Sequence, residues 1–435
     1  MDFLKEKSNK KTYILFLLVM LLAVFFSHIL FIGIDTLMVE AGQKISSVTP
    51  LTLTGLGTYL SPYKITNGLD FANLCAYTNT GGSTKGLFFK LMLDDLVDGN
   101  NLQFTLLEPI GTTSNPFMGT FDGNNLTLTG ATFTTNNFGQ AGVFGQIKNA
   151  TIKNLTVKYN NTLTNASIMG GIVASAYSSN IINCHNKSQI NNTSNSSAMV
   201  AGIVGYSYNT IITNCSNRAN INVQTNDDSV AGGITASDYN TTIVLCANFN
   251  NVSSNSGSNA YSGGISGNSS ATSTISQNFN YVGANITAKT TSNSSHSYAG
   301  GISAYGGNIS DCFNRASVTA QAPETTGNDS PTSNNTTKTF IKSSANLGLK
   351  EVSLNSTSTT CTYKKINAYA GGISGYNTKT IKCCYSTGGV VGGGVTNIIN
   401  NTTTYYYYFK SYSGKYRDKK YILKFRMIKS CWSQS

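Results

Sequence analysis

Ala201-Gly202-Ile203-Val204-Gly205, then a polar turn, then Ile212-Thr213-Asn214-Cys215-Ser216-Asn217, then Ala219-Asn220-Ile221: this wording returns, slightly altered, along most of the 435-residue chain. The next copy reads Gly232-Gly233-Ile234-Thr235-Ala236, then Ile243-Val244-Leu245-Cys246-Ala247-Asn248, then Val252. Anchoring each copy on the Gly before the Val or Ile gives Gly142, Gly171, Gly202, Gly233, Gly264, Gly301 and Gly372, separated by 29, 31, 31, 31, 37 and 71 residues. A period near thirty residues marks a solenoid, a propeller or an array.

Each copy holds three short apolar segments rich in Ile, Val and Ala, parted by Gly, Asn, Ser and Thr. Such segments are too short for helices and read as strands between turns. A propeller blade needs four strands and about forty residues or more. Three strands in about thirty residues suit one coil of a parallel β-helix, with coils about 4.8 Å apart. The expected fold is all-β, a right-handed parallel β-helix of roughly 7–9 coils, its hand taken from the rule for strand crossovers.

A second slot follows the anchoring Gly by 13 residues in four copies (Leu155, Cys184, Cys215, Cys246) and by 14, 11 and 12 in the others (Asn278, Cys312, Cys384). Two residues further on come Asn186, Asn217, Asn248, Asn280 and Asn314. The Cys slot reads as a small inward hydrophobe, and the Asn slot as a ladder of side-chain amides bonded from coil to coil. Nine cysteines in an exported chain usually mean disulfides. Five in one slot instead predict a buried, reduced column, because in-register side chains point the same way and suit the bond poorly. Cys361 with Cys383, and Cys75 with Cys431, are the remaining candidate pairs.

Lys5, Lys7, Lys10 and Lys11 precede an apolar run from Tyr13 to Ile34, and Val39-Glu40-Ala41 offers a small-residue cleavage site before Gly42. Residues 1–41 therefore read as an export signal, or as an uncleaved transmembrane anchor, placing the chain outside the cell or on its surface. Residues 42–140 read as an N-terminal cap, since a solenoid must cover its open edges. The cap includes Leu69 to Leu74 at helical spacing, the strand-like Phe88 to Asp95, and the turn signal Asp122-Gly123. Residues 141–318 are the repeats; 319–368 form a Ser/Thr/Asn-rich insertion, with room for a degenerate coil; 369–400 hold the last repeat; 401–435 form a basic aromatic cap or tail.

The stretch PIGTTSNPFMGTFDGNNLTLTG at 109–130, then AGVFGQIKNATIKNLTV at 141–157, then units such as IINCHN at 181–186 and GGISGY at 371–376, resembles the GLUG-motif surface proteins of bacteria. The resemblance implies an exported, adhesin-like β-helix without shared catalytic residues. The chain departs from that pattern where repeats end in Ala174, Ala236 and Ala304 rather than Gly.

The net charge is +12, with eight Lys or Arg against Asp418 alone in residues 410–435. The charge thus reads as concentrated at the end rather than spread as a binding stripe. No nucleic-acid partner is expected; the tail suits contact with the cell envelope. Parallel β-helices also serve as polysaccharide lyases and glycoside hydrolases, and that is the alternative reading. Such chemistry needs grouped carboxylates. Between Gly142 and Asn314 the acids are Asp227, Asp228, Asp238 and Asp311, and they read as solvated turn residues. His185 and His296 are isolated, and Cys383-Cys384 alone offers no metal spacing. No catalytic, cofactor or metal site is assigned. An ice-binding face would need Thr in a recurring slot, which Thr213 and Thr242 do not share. The sequence reads as a non-catalytic surface scaffold, with a host or neighbouring-cell protein or glycan as partner and the turns and insertion as contact surface.

Overall fold

The computed structural model describes residues 48–92, 101–103, 108–129, 135, 139–159, 161–323, 325–327, 363–365 and 368–395. The signal or anchor segment, the basic tail, Cys361, Cys431 and most of the insertion lie outside them. Among the described residues no helix is long and apolar enough to cross a membrane.

The described residues form a β-solenoid of seven coils built from parallel strands, and among them there is almost no helix. Each coil has five short strands rather than the three apolar segments of the sequence reading. The third coil shows them all: Ala198–Ala201, Val204–Tyr208, Ile211–Thr213, Ser216–Asn217 and Ile221–Thr225. The difference has a local cause. The first apolar segment is broken at the Gly202 corner, and the second at Asn214, which holds φ +53. That left-handed corner recurs at Asn154 and Asn183, where the amide side chain makes the conformation affordable. In the fifth and sixth coils the second and third strands fuse into Ser266–Ser276 and Ser303–Ser310.

Register is kept from coil to coil. Ile181 pairs with Ile212 and Ile212 with Ile243; Asn186 pairs with Asn217 and Asn217 with Asn248. The sixth coil pairs directly with the seventh on every strand, as in Ser297 with Ala368 and Phe313 with Tyr385. No further coil lies between them, so the 71-residue spacing is a single excursion. Its root is an antiparallel pair, Thr325–Gly327 with Tyr363–Lys365. The solenoid's fifth strand runs Ser317–Pro323, so the excursion leaves the stack after Pro323 rather than at 319.

The interior has two lobes. The larger is lined by the Ile column of Ile172, Ile203, Ile234, Ile265 and Ile302, by Ile181, Ile212, Ile243, Ile275 and Ile309, and by the cysteines. The smaller lies between first and fifth strands around Ile190, Ile221, Val252, Ile286 and Val318. Burying each such side chain is worth about 1.5–3 kcal/mol.

At the waist between the lobes, the Gly and Asn slots meet. A Cβ on Gly202 would lie 2.4 Å from the Gly233 carbonyl oxygen and 2.6 Å from Asn217 Cγ. The Gly column thus exists to let the Asn ladder close against it. The ladder is continuous: Asn186 Nδ2 donates to Asn217 Oδ1 at 2.8 Å, Asn217 to Asn248 at 2.8 Å, Asn248 to Asn280 at 2.9 Å, Asn280 to Asn314 at 2.9 Å. Asn314 ends it on Ser386 Oγ at 3.1 Å. Each amide has a further bond to backbone, such as Asn217 Nδ2 to the Ala219 carbonyl at 2.8 Å. Fully buried amides so satisfied stabilise the coil, whereas an orphaned one would cost about 1–3 kcal/mol.

The N-terminal segment covers the open end. Its strands Tyr63–Ile65, Phe88–Leu91 and Thr120–Asp122 stack in order onto Thr151–Lys153 of the first coil. A helix, Gly68–Asn79, is capped by Asn67 Oδ1, which accepts from the Leu69 and Asp70 amides. It buries Phe71 and Leu74, and Phe71, Phe89, Phe117, Phe121 and Phe144 fill the end of the larger lobe.

Candidate functional site

The columns singled out in the sequence are interior. Gly142, Gly171, Gly202, Gly233, Gly264, Gly301 and Gly372 lie at the waist or corner. Asn186, Asn217, Asn248 and Asn314 are shut in the ladder, and Cys184, Cys215, Cys246, Cys312 and Cys384 are buried and form no disulfides with one another. Asn278 occupies the Cys slot in the fifth coil, its Oδ1 accepting from the Cys246 amide at 2.8 Å. Burial holds the Cys215 thiol well above its ordinary range, which keeps it protonated and inert. Cys75, offered above as a partner for Cys431, is also buried; its thiol donates to the Glu108 carbonyl at 3.3 Å. Cys383 is exposed.

One acid departs from the reading above. Asp227 is exposed in its turn, but Asp238 is 3 % exposed and points inward from the second strand. Ser269 Oγ donates to its Oδ1 at 2.7 Å and Ser266 Oγ to its Oδ2 at 2.5 Å. Burial raises its pKa, and bonds from Ser266, Ser273 and Ser269 oppose that rise. The reason is register: Asp238 stands where Ser207 stands one coil earlier, a slot that the pleat directs inside. His185 sits on the fourth strand, its Nδ1 2.8 Å from Ser216 Oγ; burial, then Arg218 and Lys187, lower its pKa. Among the described residues no three His, Cys, Asp or Glu side chains converge to hold a metal.

What the structure does assemble is aromatic. The second residue of the first strand points outward and forms the column Ile168, Met199, Val230, Tyr261, Tyr298, Tyr369. Beside it, the third residue of the second strand forms Ser175, Tyr206, Ser237, Asn268, Tyr305, Tyr376. The two strands meet at a re-entrant angle. A Cβ added to Gly205 would strike Ile168 Cγ2 at 2.7 Å, and one on Gly267 would strike Val230 Cγ1 at 2.7 Å. The outward columns therefore face each other along a corner.

In the last three coils that corner is lined by tyrosine. Tyr261 stacks on Tyr298 at 5.0 Å and Tyr298 on Tyr369 at 4.9 Å; Tyr305 stacks on Tyr376 at 4.9 Å. Across the corner the rings are nearly perpendicular, at 85° for Tyr261 with Tyr305 and 83° for Tyr298 with Tyr305. Geometry explains the herringbone. Coils step about 4.8 Å but carbon surfaces touch at about 3.5 Å, so each stacked ring must tilt by about 45° from the axis. Columns tilted in opposite senses then meet near a right angle, an arrangement that also favours edge-to-face contact.

The rings are half-buried. Burial, then Asp228 and Tyr305, push the Tyr261 phenol up to about 12. Burial and the neighbouring tyrosines raise Tyr298 as well. These phenols stay neutral hydrogen-bond donors and acceptors. His296 stacks on Tyr298 at 5.8 Å and on Tyr369 at 5.7 Å. Its amide donates to Asn259 Oδ1 at 3.0 Å, and the Asn259 amide donates to Asp228 Oδ1 at 2.9 Å, which ties three successive turns together. Both enlarged connections between a fifth and a first strand leave the stack beside this face: the Thr291–His296 turn and the excursion rooted at Thr325–Gly327. The signal was present in the sequence as Tyr at 37- and 71-residue spacings (Tyr261, Tyr298, Tyr369), but that slot is outward and shows no common residue in earlier copies.

No family model matches the chain, and no curated protein matches it. Among solved structures, a protein described as a putative immunoglobulin A1 protease from Bacteroides ovatus is similar at 16 % identity and a TM-score of 0.43, over 77 % of this chain and 86 % of that one.

Proposed function

We propose that the chain is an exported, non-catalytic scaffold of the adhesin class, which holds a protein or glycan of a host or neighbouring-cell surface at the tyrosine face. The observation that carries this reading is the coincidence, on one corner of the last three coils, of five outward tyrosines and both enlarged turns. The solenoid supplies rigidity, the neutral phenols supply paired donors and acceptors, and the apolar ring bodies supply contact area at little conformational cost. Asp238, the buried acid, is enclosed by serine hydroxyls inside the coil and faces no partner. The resemblance to GLUG-motif surface proteins supports the same reading.

The test exploits the scaffold itself. Val230 and Ser237 occupy the same two columns two coils earlier, so Tyr298→Val with Tyr305→Ser keeps residues the coil accepts. Binding of the purified chain to immobilised host-matrix proteins and to a glycan array is compared with that of this double variant. A loss of tenfold or more with an unchanged unfolding midpoint supports the assignment. Undiminished binding, or sustained depolymerisation of a polysaccharide by the parent chain, would sink it.

A further inference from the structure

On the other side of the waist, the residue after each ladder position points away from the core. These residues form one column: Lys158, Lys187, Arg218, Phe249, Tyr281, Arg315 and Thr387. Register holds them together, since each amide from Lys187 onward donates to the carbonyl of the ladder-slot residue in the preceding coil, the residue just before its counterpart in the column. Lys187 bonds Val157, Arg218 bonds Asn186, Phe249 bonds Asn217, Tyr281 bonds Asn248 and Arg315 bonds Asn280, at 2.8–2.9 Å. Lys158, Lys187, Arg218 and Arg315 are exposed. Among the described residues the ion pair is Lys153 with Asp122, at 3.3 Å, so none of these four cations has a carboxylate partner. Like charges on neighbouring in-register strands repel, and an anionic partner would relieve that repulsion.

We infer that this column is a binding track for an acidic polysaccharide, a chain bearing carboxylate or sulfate groups. Three observations select that partner. Lys158, Lys187 and Arg218 occupy successive coils, a step close to the advance of an extended pyranose chain per ring, and Arg315 follows three coils on, so successive acidic sugars meet the first three cations in turn. The aromatic members are occupied: the Arg218 guanidinium lies 4.2 Å from the Phe249 ring centroid, and Tyr281 lies 5.2 Å away. Single-stranded nucleic acid binds by stacking bases on open ring faces, and here the Phe249 ring already lies between Arg218 and Tyr281. Finally, the Phe249 ring holds Arg218 in place, so its outward N–H groups are pre-ordered for a planar carboxylate or sulfate.

The track is distinct from the tyrosine face, and its test is separate. The full chain is measured on immobilised heparin, neutral dextran and an oligothymidine strand, beside Lys187→Gln/Arg218→Gln/Arg315→Gln and the off-column control Lys148→Gln. Each lost cation should weaken heparin binding about fivefold, and the three together about a hundredfold, with the control within twofold. Phe249→Ala should lose a fewfold by freeing Arg218. Retention contributed by residues 410–435 survives the triple substitution, so heparin binding unchanged in that variant overturns the inference. Equal binding to dextran overturns it too, as does tighter binding to oligothymidine that the triple variant abolishes.

Discussion

The first four coils and the last three share an interior and differ outside. Inside, Ile212, Ile243, Ile275 and Ile309 fill one slot without interruption, and the Asn ladder crosses from the second coil to the sixth unbroken. Outside, the corner that carries Ile168, Met199 and Val230 in early coils carries Tyr261, Tyr298 and Tyr369 in late ones. The early coils also keep a strict turn length, while the late ones open at the Thr291–His296 turn and after Pro323. The difference teaches where each residue is constrained. An interior slot must fit the slot above and below at close packing, so one change is felt by two neighbours. An outward slot is released from that requirement and is free to acquire contacts.

The sharpest way to break the shared interior is at the waist. Gly233→Ala places a Cβ 2.0 Å from the Gly264 carbonyl oxygen and 2.8 Å from Asn248. Backbone must shift on two coils, and we expect a loss of about 4 kcal/mol or failure to fold, read by urea denaturation. Next comes the ladder. Asn217→Ala removes the partner of Asn186 Nδ2 and of Asn248, and should cost about 2–3 kcal/mol. A loss below 1 kcal/mol would mean that the ladder is incidental to the stack.

Asp238 tests whether the interior tolerates charge. Its folded pKa lies above the unfolded one, so its contribution to stability is fully present below the unfolded pKa and is lost as pH rises through the folded value. Asp238→Asn removes that loss. The variant should be the more stable by about 1 kcal/mol near neutral pH, with the gap closing as pH falls into the acid range. A gap that instead widens toward acid would show that the serine hydroxyls favour the ionised form. The smallest effect is expected at the exposed corner after the third strand. Asn154, Asn183 and Asn214 hold φ near +54 there, but in the fourth coil Leu245 holds φ +56 and is 56 % exposed. Leu245→Asn should stabilise by about 0.5–1 kcal/mol, because Asn accepts the left-handed region more readily. Thermal denaturation resolves a shift of this size.

How far the molecule was legible follows the same division. The solenoid could be read because its interior repeats itself: Gly202, Cys215 and Asn217 recur wherever a coil must pinch, fill and bond at the same point. The sequence shows three apolar segments where the coil has five strands, because Asn214 and Gly202 bend the chain within apolar runs and apolarity does not report direction. Spacing from a turn suggests a solvated Asp238 but does not tell which way an extended residue points; the slot shared with Ser207 does. The basic column was missed for a related reason. Lys187, Arg218 and Arg315 each sit one residue after a ladder Asn, yet a count of charge along the chain places most of the excess in the tail.

By itself, then, the sequence determined the period, the parallel stack and the identity of the inward columns, because close packing favours similar residues at the same position in successive coils. Only the tertiary structure decided which outward residues stand together. Tyr261, Tyr298 and Tyr369, or Lys187, Arg218 and Arg315, lie tens of residues apart along the chain. They become neighbours only once hydrogen-bond register fixes one coil upon the next.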